Sequence, residues 1–164
     1  MTEQSSLTRM VVGYYLKGDQ VLLGLRKETE WGIGKDLLAG IGGKVGDLPG
    51  LEDETEDEAF IRESQEEINV TPLKFRGIGY ATFLFPAKPK WNQRVRIYLV
   101  DAWEGEPTET ESIRPEWHDI NQLPFDQMWD DAHYYLAQAL AGKAIDATFT
   151  YSGDNRTVHH IDIG

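Results

Sequence analysis

Three glutamates within one five-residue segment constrain this sequence more than any other feature. Glu63, Glu66 and Glu67 are spaced i, i+3 and i+4, so a helix places their carboxylates on one face. Like charges at these spacings destabilise a helix by about 0.2–0.5 kcal/mol per pair. Oxygen ligands from one helical turn suit Mg²⁺ or Mn²⁺, and a bound cation would offset the repulsion. A solvated acidic helix is the alternative interpretation.

The helix that carries these glutamates has recognisable ends. Thr55 and Glu58 form a capping-box pattern, which predicts a helix over residues 55–68. Asn69 can adopt the left-handed conformation that ends a helix. The residues expected to face the core recur every four positions: Phe60, Ser64 and Ile68. The carboxylates lie beside this stripe, so we expect them at the edge of the core.

Hydrophobic patterns in the rest of the chain predict an α/β fold with a mixed sheet between helices. A second amphipathic helix is predicted over residues 130–142. Residues 27–36 and 104–112 are predicted to be loops, and residues 115–123 a short strand and turn. The other expected strands cover residues 8–16, 20–26, 37–41, 74–86, 94–103, 148–151 and 157–163. A chain of 164 residues is expected to form one domain.

Charge and composition limit the possible partners. The formal net charge is −12, which argues against nucleic acid or an anionic membrane as a partner. A phosphorylated small molecule would also be repelled, unless divalent cations bridge it to the protein. The absence of cysteine, the lack of a leader-like pattern at the start and the shortness of the apolar run 10–16 fit a cytoplasmic protein. We expect a monomer or a weak homodimer.

The glutamate segment resembles the Nudix box, GX5EX7REUXEEXGU, in which U is an apolar residue. The match runs from Glu54 through seven residues to Arg62-Glu63, and then to Glu66-Glu67 and Val70. The resemblance implies a Nudix α/β/α sandwich with a mixed sheet, formed by residues 1–164 as a single domain. The Nudix box region is then 43–70.

This Nudix box departs from the family pattern in three places. Ten residues separate Gly43 from Glu54 where the family has five, so the loop over 44–53 is enlarged. This insertion is rich in turn-forming residues and is expected to bulge without moving the helix. Ser64 stands at an apolar position, and Asn69 replaces the final glycine.

The resemblance also implies a metal-dependent hydrolysis of phosphoanhydride bonds, with Mg²⁺ as the cofactor and Mn²⁺ as a second option. The metal ligands implied by position are Gly42 through its backbone carbonyl, Glu63, Glu66 and Glu67. Arg62 is expected to orient a glutamate; a surface ion pair is the alternative. Glu111 is a candidate further ligand from a distant loop, where the alternative is a solvated acidic loop.

Residues outside the box are similar to those of MutT-like 8-oxo-dGTP diphosphatases, which hydrolyse oxidised purine nucleotides. In that group a tryptophan stacks on the purine and following carboxylates read the base edge, which implies these roles for Trp129 and Asp131. Asp130 and Asp131 together fill both carboxylate positions only if one residue is deleted from the match. The other expected substrate-binding residues are Arg26, Trp31, Lys44, Phe83 and Phe85. Core packing, and a helix N-cap for the aspartates, are the alternatives. Ala39 and Ala132 replace polar base-reading residues, which predicts weaker discrimination for 8-oxoguanine.

The favoured hypothesis is therefore a nucleoside triphosphate pyrophosphohydrolase that removes oxidised purine nucleotides from the nucleotide pool, a role linked to DNA repair. One alternative is a Nudix hydrolase of a dinucleoside polyphosphate or a nucleotide sugar. The other is a Nudix-fold nucleotide-binding module without turnover.

Overall fold

A computed structural model describes residues 7–27 and 35–163, which form nine strands and two α-helices. The helices are α1 (Glu56–Ile68) and α2 (Ala132–Leu140). The strands are β1 (Thr8–Lys17), β2 (Gln20–Arg26), β3 (Leu38–Ala39), β4 (Ile41–Lys44), β5 (Thr71–Leu84), β6 (Gln93–Glu104), β7 (Ile113–Asp119), β8 (Ile145–Tyr151) and β9 (Val158–Ile163). Trp31, an expected substrate contact, lies outside the described residues.

The strands form one mixed sheet in the order β3-β2-β1-β6-β5-β8-β9. Strand β1 pairs in parallel with β6, strand β5 pairs in parallel with β8, and the other pairings are antiparallel. Two short branches complete it, since β4 also pairs with β1 and β7 with β2. The contact between β1 and β2 involves only two residue pairs next to their turn, so β2 soon diverges from β1.

The two helices pack on opposite faces of this sheet. Tyr15 belongs to the core cluster that contains Phe60 of α1, whereas its neighbour Tyr14 belongs to the cluster that contains Leu136 of α2. Successive side chains of a strand point to opposite faces. The predicted α/β/α layering is therefore confirmed. Among the described residues, no helix has the length and apolar character needed to cross a membrane.

Helix α1 has the ends that its sequence predicts. The Thr55 hydroxyl oxygen accepts a hydrogen bond from the Glu58 amide at 3.1 Å, and the Thr55 amide donates to the Glu58 carboxylate at 2.9 Å. At the other end, Asn69 has φ = 61° and ends the helix in the left-handed conformation. Both caps are local, which explains why the boundaries could be predicted.

Other boundaries differ from the predictions for identifiable reasons. The expected strand 37–41 is split into β3 and β4, which pair with different strands, β2 and β1. Strand β5 begins at Thr71 and not at residue 74, because its pairing with β6 continues past irregularities near Lys74. Helix α2 is shorter than 130–142: the Asp131 side chain makes no capping bond, and Gly142 has φ = 87°.

Helix α1 approaches β1 very closely. A Cβ atom on Gly13 would overlap the ring of Phe60, so glycine is what allows this contact. Beside it, the buried Tyr15 hydroxyl donates to the buried Ser64 hydroxyl at 2.6 Å. This bond explains the serine at an otherwise apolar position of the box, because a buried hydroxyl needs a partner. It fixes α1 against the centre of the sheet.

We predict that Ser64→Ala lowers the free energy of unfolding by about 1–3 kcal/mol, because it leaves the Tyr15 hydroxyl buried without its partner. The double variant Tyr15→Phe/Ser64→Ala removes both hydroxyls and should lose less stability than Ser64→Ala alone. Urea unfolding followed by circular dichroism measures both. A double variant at least as unstable as Ser64→Ala would show that the hydrogen bond contributes nothing.

Candidate active site

A single cleft of about 380 Å³ brings together residues from both faces of the sheet. From the α1 face come Glu63 and Glu67, and from the α2 face come Trp129 and Asp131. Between them lie β4 and the start of β1. Of the expected site residues, the cleft is lined by Arg26, Gly42, Lys44, Glu63, Glu67, Phe83, Phe85, Trp129 and Asp131.

The backbone of β4 receives both glutamates of α1 at Gly42 and Gly43. A Cβ atom on Gly43 would overlap the carboxylate of Glu63, so this position has no room for a side chain. The Gly42 amide donates to the Glu67 carboxylate at 3.1 Å. Glu63 and Glu67 are one helical turn apart, and both are largely buried, with side chains 13% and 12% exposed. Two acidic groups are thus held side by side at one end of the cleft.

Arg26 partly balances this charge. Its guanidinium group donates to the Glu67 carboxylate at 2.6 Å and to the backbone carbonyls of Gly40 and Gly42 at 3.2 and 3.3 Å. A cation therefore already lies against the Gly42 carbonyl and a Glu67 oxygen, two of the implied metal ligands. These oxygens form a pocket that favours positive charge.

Arg62 joins the enlarged loop to the glutamate face. It donates to Glu54 at 2.7 and 3.0 Å, to the Lys44 carbonyl at 3.0 Å, to Glu66 at 3.1 Å and to Glu63 at 3.2 Å. This set of bonds goes well beyond the surface ion pair that was the alternative. The arginine lowers the pKa of Glu54, which also accepts a hydrogen bond from the Gly46 amide at 2.9 Å.

The electrostatics of the glutamate pair are unfavourable in isolation. Burial, reinforced by the neighbouring Glu67 carboxylate, raises the pKa of Glu63 to about 7. Burial also raises the pKa of Glu67, and the Arg26 guanidinium opposes that change. Burial and like charge both disfavour ionised carboxylates, whereas a cation would favour them. The pair is therefore suited to a divalent metal by charge as well as by donor type.

The expected ligand Glu66 stands apart from this pair. Its side chain is 52% exposed and contacts Arg62. Within residues 7–27 and 35–163, no group of three or more acidic, histidine or cysteine side chains is arranged to hold a metal ion. The structure thus brings together Glu63, Glu67 and the Gly42 carbonyl, and Glu66 would have to rotate to join them.

Aromatic side chains line the cleft on the α2 side. Phe83 and Phe85 both line it, as expected from their spacing of two on a strand. Phe85 stacks on Tyr151 at a centroid distance of 4.8 Å and meets Trp129 edge-on at 6.2 Å. Trp129 is partly buried and still lines the cleft, so it packs on the core and also offers a surface to a ligand.

Of the two adjacent aspartates, only Asp131 lines the cleft. It accepts a hydrogen bond from the Tyr151 hydroxyl at 2.5 Å, and burial raises its pKa to about 6. The Asp130 carboxylate instead accepts a hydrogen bond from the Val158 amide at 2.8 Å, which ties it to β9. The cleft does not include Asp130, because consecutive residues here point in different directions.

Glu111 is also not brought into the cleft. It is exposed, in the loop before β7, and does not line the site. Its neighbour Thr110 does contact the helix, since the Thr110 hydroxyl donates to the Glu67 backbone carbonyl at 2.9 Å. Lys27 donates to the Thr110 carbonyl at 2.9 Å and forms an ion pair with Glu109. The role of Glu111 as a ligand stays a prediction.

Sequence reasoning missed three tyrosines that line the cleft: Tyr14, Tyr135 and Tyr151. They come from β1, α2 and β8, so no local motif links them. The alternating pattern of β8 and the helical spacing of α2 indicate that Tyr151 and Tyr135 face the core. Neither pattern shows that their hydroxyl groups meet at one site.

Comparison with known proteins agrees with this geometry. A family model described as the NUDIX domain matches residues 7–140. The oxidized purine nucleoside triphosphate hydrolase of Danio rerio is 35% identical over 141 residues, covering 86% of this chain and 85% of that protein. The protein of the same name from Mus musculus is 32% identical over 136 residues, covering 83% and 81%.

A solved structure supports the fold independently. The MutT protein from Bacillus halodurans has a TM-score of 0.74 with this chain at 18% identity, and the match covers 96% of this chain and 97% of that one. Both have the mixed sheet and helices of a Nudix sandwich. The identity to the animal proteins, together with the domain match over most of the sequence, establishes that this chain belongs to the Nudix hydrolase family.

Proposed function

We propose that this chain is a nucleoside triphosphate pyrophosphohydrolase that acts on oxidised purine nucleotides such as 8-oxo-dGTP. Water would attack phosphorus, one phosphoanhydride bond would break, and the products would be the nucleoside monophosphate and pyrophosphate. The relatives from Danio rerio and Mus musculus carry the name of such an activity. We place it in the cytoplasm as a single-domain monomer or weak homodimer, with no nucleic acid or membrane partner.

The observation that supports this proposal best is the set of residues that line this cleft. It has buried carboxylates on the α1 side and aromatic side chains with a buried aspartate on the α2 side. A nucleotide has the matching parts, a polyphosphate at one end and a flat base at the other. Since the chain carries a net charge of −12, a polyphosphate needs bridging cations to bind at the acidic end.

Nudix hydrolases in general use divalent cations, and we propose Mg²⁺, with Mn²⁺ as an alternative. Glu63, Glu67 and the Gly42 carbonyl would hold the metal, together with Glu66 after a side-chain rotation. A bound metal supplies charge neutralisation at the phosphates and an activated water. Arg62 keeps Glu63 and Glu66 oriented through its bonds at 3.2 and 3.1 Å.

Two cationic side chains line the same end of the cleft. Arg26 and Lys44 would contact phosphate oxygens once a metal ion binds the glutamates, because the metal would then neutralise the charge that Arg26 balances in its absence. Their role is to orient the polyphosphate and to offset its negative charge.

The other end would hold the base. A base stacked on an aromatic face gains about 1–3 kcal/mol, and Trp129 would supply this face. Phe83 and Phe85, which also line the cleft, would contact the base as well. Asp131 would hydrogen bond to the base edge. Because burial raises its pKa to about 6, its carboxyl group changes between donor and acceptor close to neutral pH. Asp130 faces β9 and has no part in this proposal.

We predict that Glu67→Gln lowers kcat for purine triphosphate hydrolysis in Mg²⁺ by about 100-fold or more, because it removes a charged metal ligand. Glu106→Gln, at an exposed loop glutamate, is the matched control and should behave as wild type. Chromatographic identification of both products checks the cleavage position. Equal rates for Glu67→Gln and wild type would rule out the metal assignment.

The same assay separates the alternative functions. Wild type is compared on oxidised and ordinary purine triphosphates, a dinucleoside polyphosphate and a nucleotide sugar. Faster hydrolysis of either of the last two would replace the proposed substrate class. Tight nucleotide binding without turnover of any substrate would show a binding module.

We predict that Glu63→Gln makes the metal-free protein more stable at pH 8, by on the order of 2 kcal/mol after allowance for solvent screening. The folded-state pKa of Glu63 is raised to about 7, so wild type loses this stability as pH rises from about 4.5 through 7. The difference in stability between Glu63→Gln and wild type should therefore vanish near pH 4.5. Thermal unfolding across this range measures it. Identical pH profiles for wild type and Glu63→Gln would contradict the prediction.

We predict that Trp129→Ala raises KM about tenfold or more while kcat changes little, because stacking holds the base without taking part in the bond cleavage. Trp129→Phe keeps an aromatic face and should retain most of the affinity. Melting temperatures of both variants test whether the fold survives the loss of packing on Phe85. A Trp129→Ala variant that is folded and has an unchanged KM would limit the tryptophan to packing.

A further inference from the structure

Two buried tyrosine hydroxyls meet in the base-binding half of the cleft. Tyr14 comes from β1 and Tyr135 from α2, and their hydroxyl oxygens are 3.4 Å apart. The two residues are only 4% and 8% exposed, yet both line the cleft. Two residues that line the aromatic side of the cleft thus carry a pair of neighbouring polar hydroxyl groups.

This pair keeps hydrogen-bonding capacity for a ligand. One hydroxyl donates to the other, which leaves one donor hydrogen and several acceptor lone pairs. Burial raises the pKa of Tyr14 to about 12 and raises the pKa of Tyr135 well above its usual value. Both groups consequently stay protonated across the physiological range.

The position of the pair is tied to that of Asp131. Tyr135 follows Asp131 by four residues and Ala132 by three, so the three side chains share one face at the start of α2. One oxygen of Asp131 accepts from Tyr151, and Tyr14 and Tyr135 both lie within electrostatic reach of the carboxylate. Tyr14 points to the same side of β1 as Val12, which also lines the cleft.

The side chains of two other residues at this end of the cleft cannot hydrogen bond to a base. Ala39 and Ala132 line it, and a methyl group neither donates nor accepts a hydrogen bond. A purine edge that carries carbonyl or amino groups must find partners when it enters a buried pocket, because unpaired polar groups are costly there. The tyrosine pair supplies such partners without a charged group.

We propose that the Tyr14–Tyr135 hydroxyl pair hydrogen bonds to the exocyclic groups of the purine and so determines which bases are accepted. This inference rests on the proposed function and extends it. A hydroxyl can donate to a carbonyl or accept from an amino group by rotating its hydrogen. The pair therefore accepts both guanine-type and adenine-type oxidised nucleotides, and the site is selective for polar base edges over unsubstituted ones.

The test measures binding of nucleoside monophosphates by calorimetry in the presence of Mg²⁺. Because a monophosphate has no phosphoanhydride bond to cleave, base recognition is separated from hydrolysis. The probes are 8-oxo-dGMP, 8-oxo-dAMP and a purine deoxynucleoside monophosphate without exocyclic groups. Tyr135→Phe should weaken the first two by about fivefold each, the size of one neutral hydrogen bond, and leave the third unchanged. Tyr134→Phe, an exposed neighbour on the same helix, is the matched control and should bind all three as wild type does.

A second variant keeps the test decisive if Tyr135→Phe fails to fold. Tyr14→Phe removes the other hydroxyl and should show the same selective loss, and thermal unfolding checks both proteins. An equal loss for all three probes would mean that the tyrosines only shape the pocket, and unchanged binding would mean that they do not contact the base. Either result overturns the inference while wild-type hydrolysis of 8-oxo-dGTP leaves the proposed function standing. Failure of wild type to hydrolyse or bind any purine nucleotide overturns both.

Discussion

The close contact between α1 and the sheet is the constraint on which the site depends. Phe60 packs on Gly13, and the Tyr15–Ser64 hydrogen bond fixes the orientation of the helix about its own axis. Because both contacts lie on the inner face of α1, the adjoining side of the helix is directed at β4. Gly43 there has no side chain, and the Glu63 carboxylate occupies the space. Packing of apolar and aromatic groups thus determines where the acidic groups must sit.

Burying the two carboxylates lowers the stability of the fold, but it provides the oxygen ligands that a metal ion needs. Glu63 and Glu67 are buried next to each other, and the protein offsets their charge with Arg26 and Arg62, one on each side. Each arginine is held in place by several hydrogen bonds, Arg26 to Glu67 and the carbonyls of Gly40 and Gly42, and Arg62 to Glu54 and the Lys44 carbonyl as well as to the glutamates. A well-packed apolar pair at these two positions would be more stable but could bind no cation.

Local and distant information contributed unequally to what could be predicted. The ends of α1 could be predicted from Thr55, Glu58 and Asn69, because each of these residues acts through its neighbours in sequence. The structure confirms both ends. Ser64, by contrast, is explained only by Tyr15, which is 49 residues away. The tyrosines of the cleft come from three separate elements, and adjacent aspartates took different partners, so tertiary packing was needed to identify them. For this reason the sequence motif identified the carboxylates of the cleft more completely than the residues around the proposed base-binding end.

The attachment of the enlarged loop has a consequence for its length. Glu54 accepts from Gly46 near one end of the insertion, and Arg62 holds Glu54 and the Lys44 carbonyl together. Both ends of the segment are thus anchored to the same arginine, and Asp47, Pro49 and Gly50 of the turn between them are exposed. Because both ends are held, we expect that extra residues, an epitope tag or a fluorophore inserted between the two anchors would leave the geometry of the acidic centre unchanged.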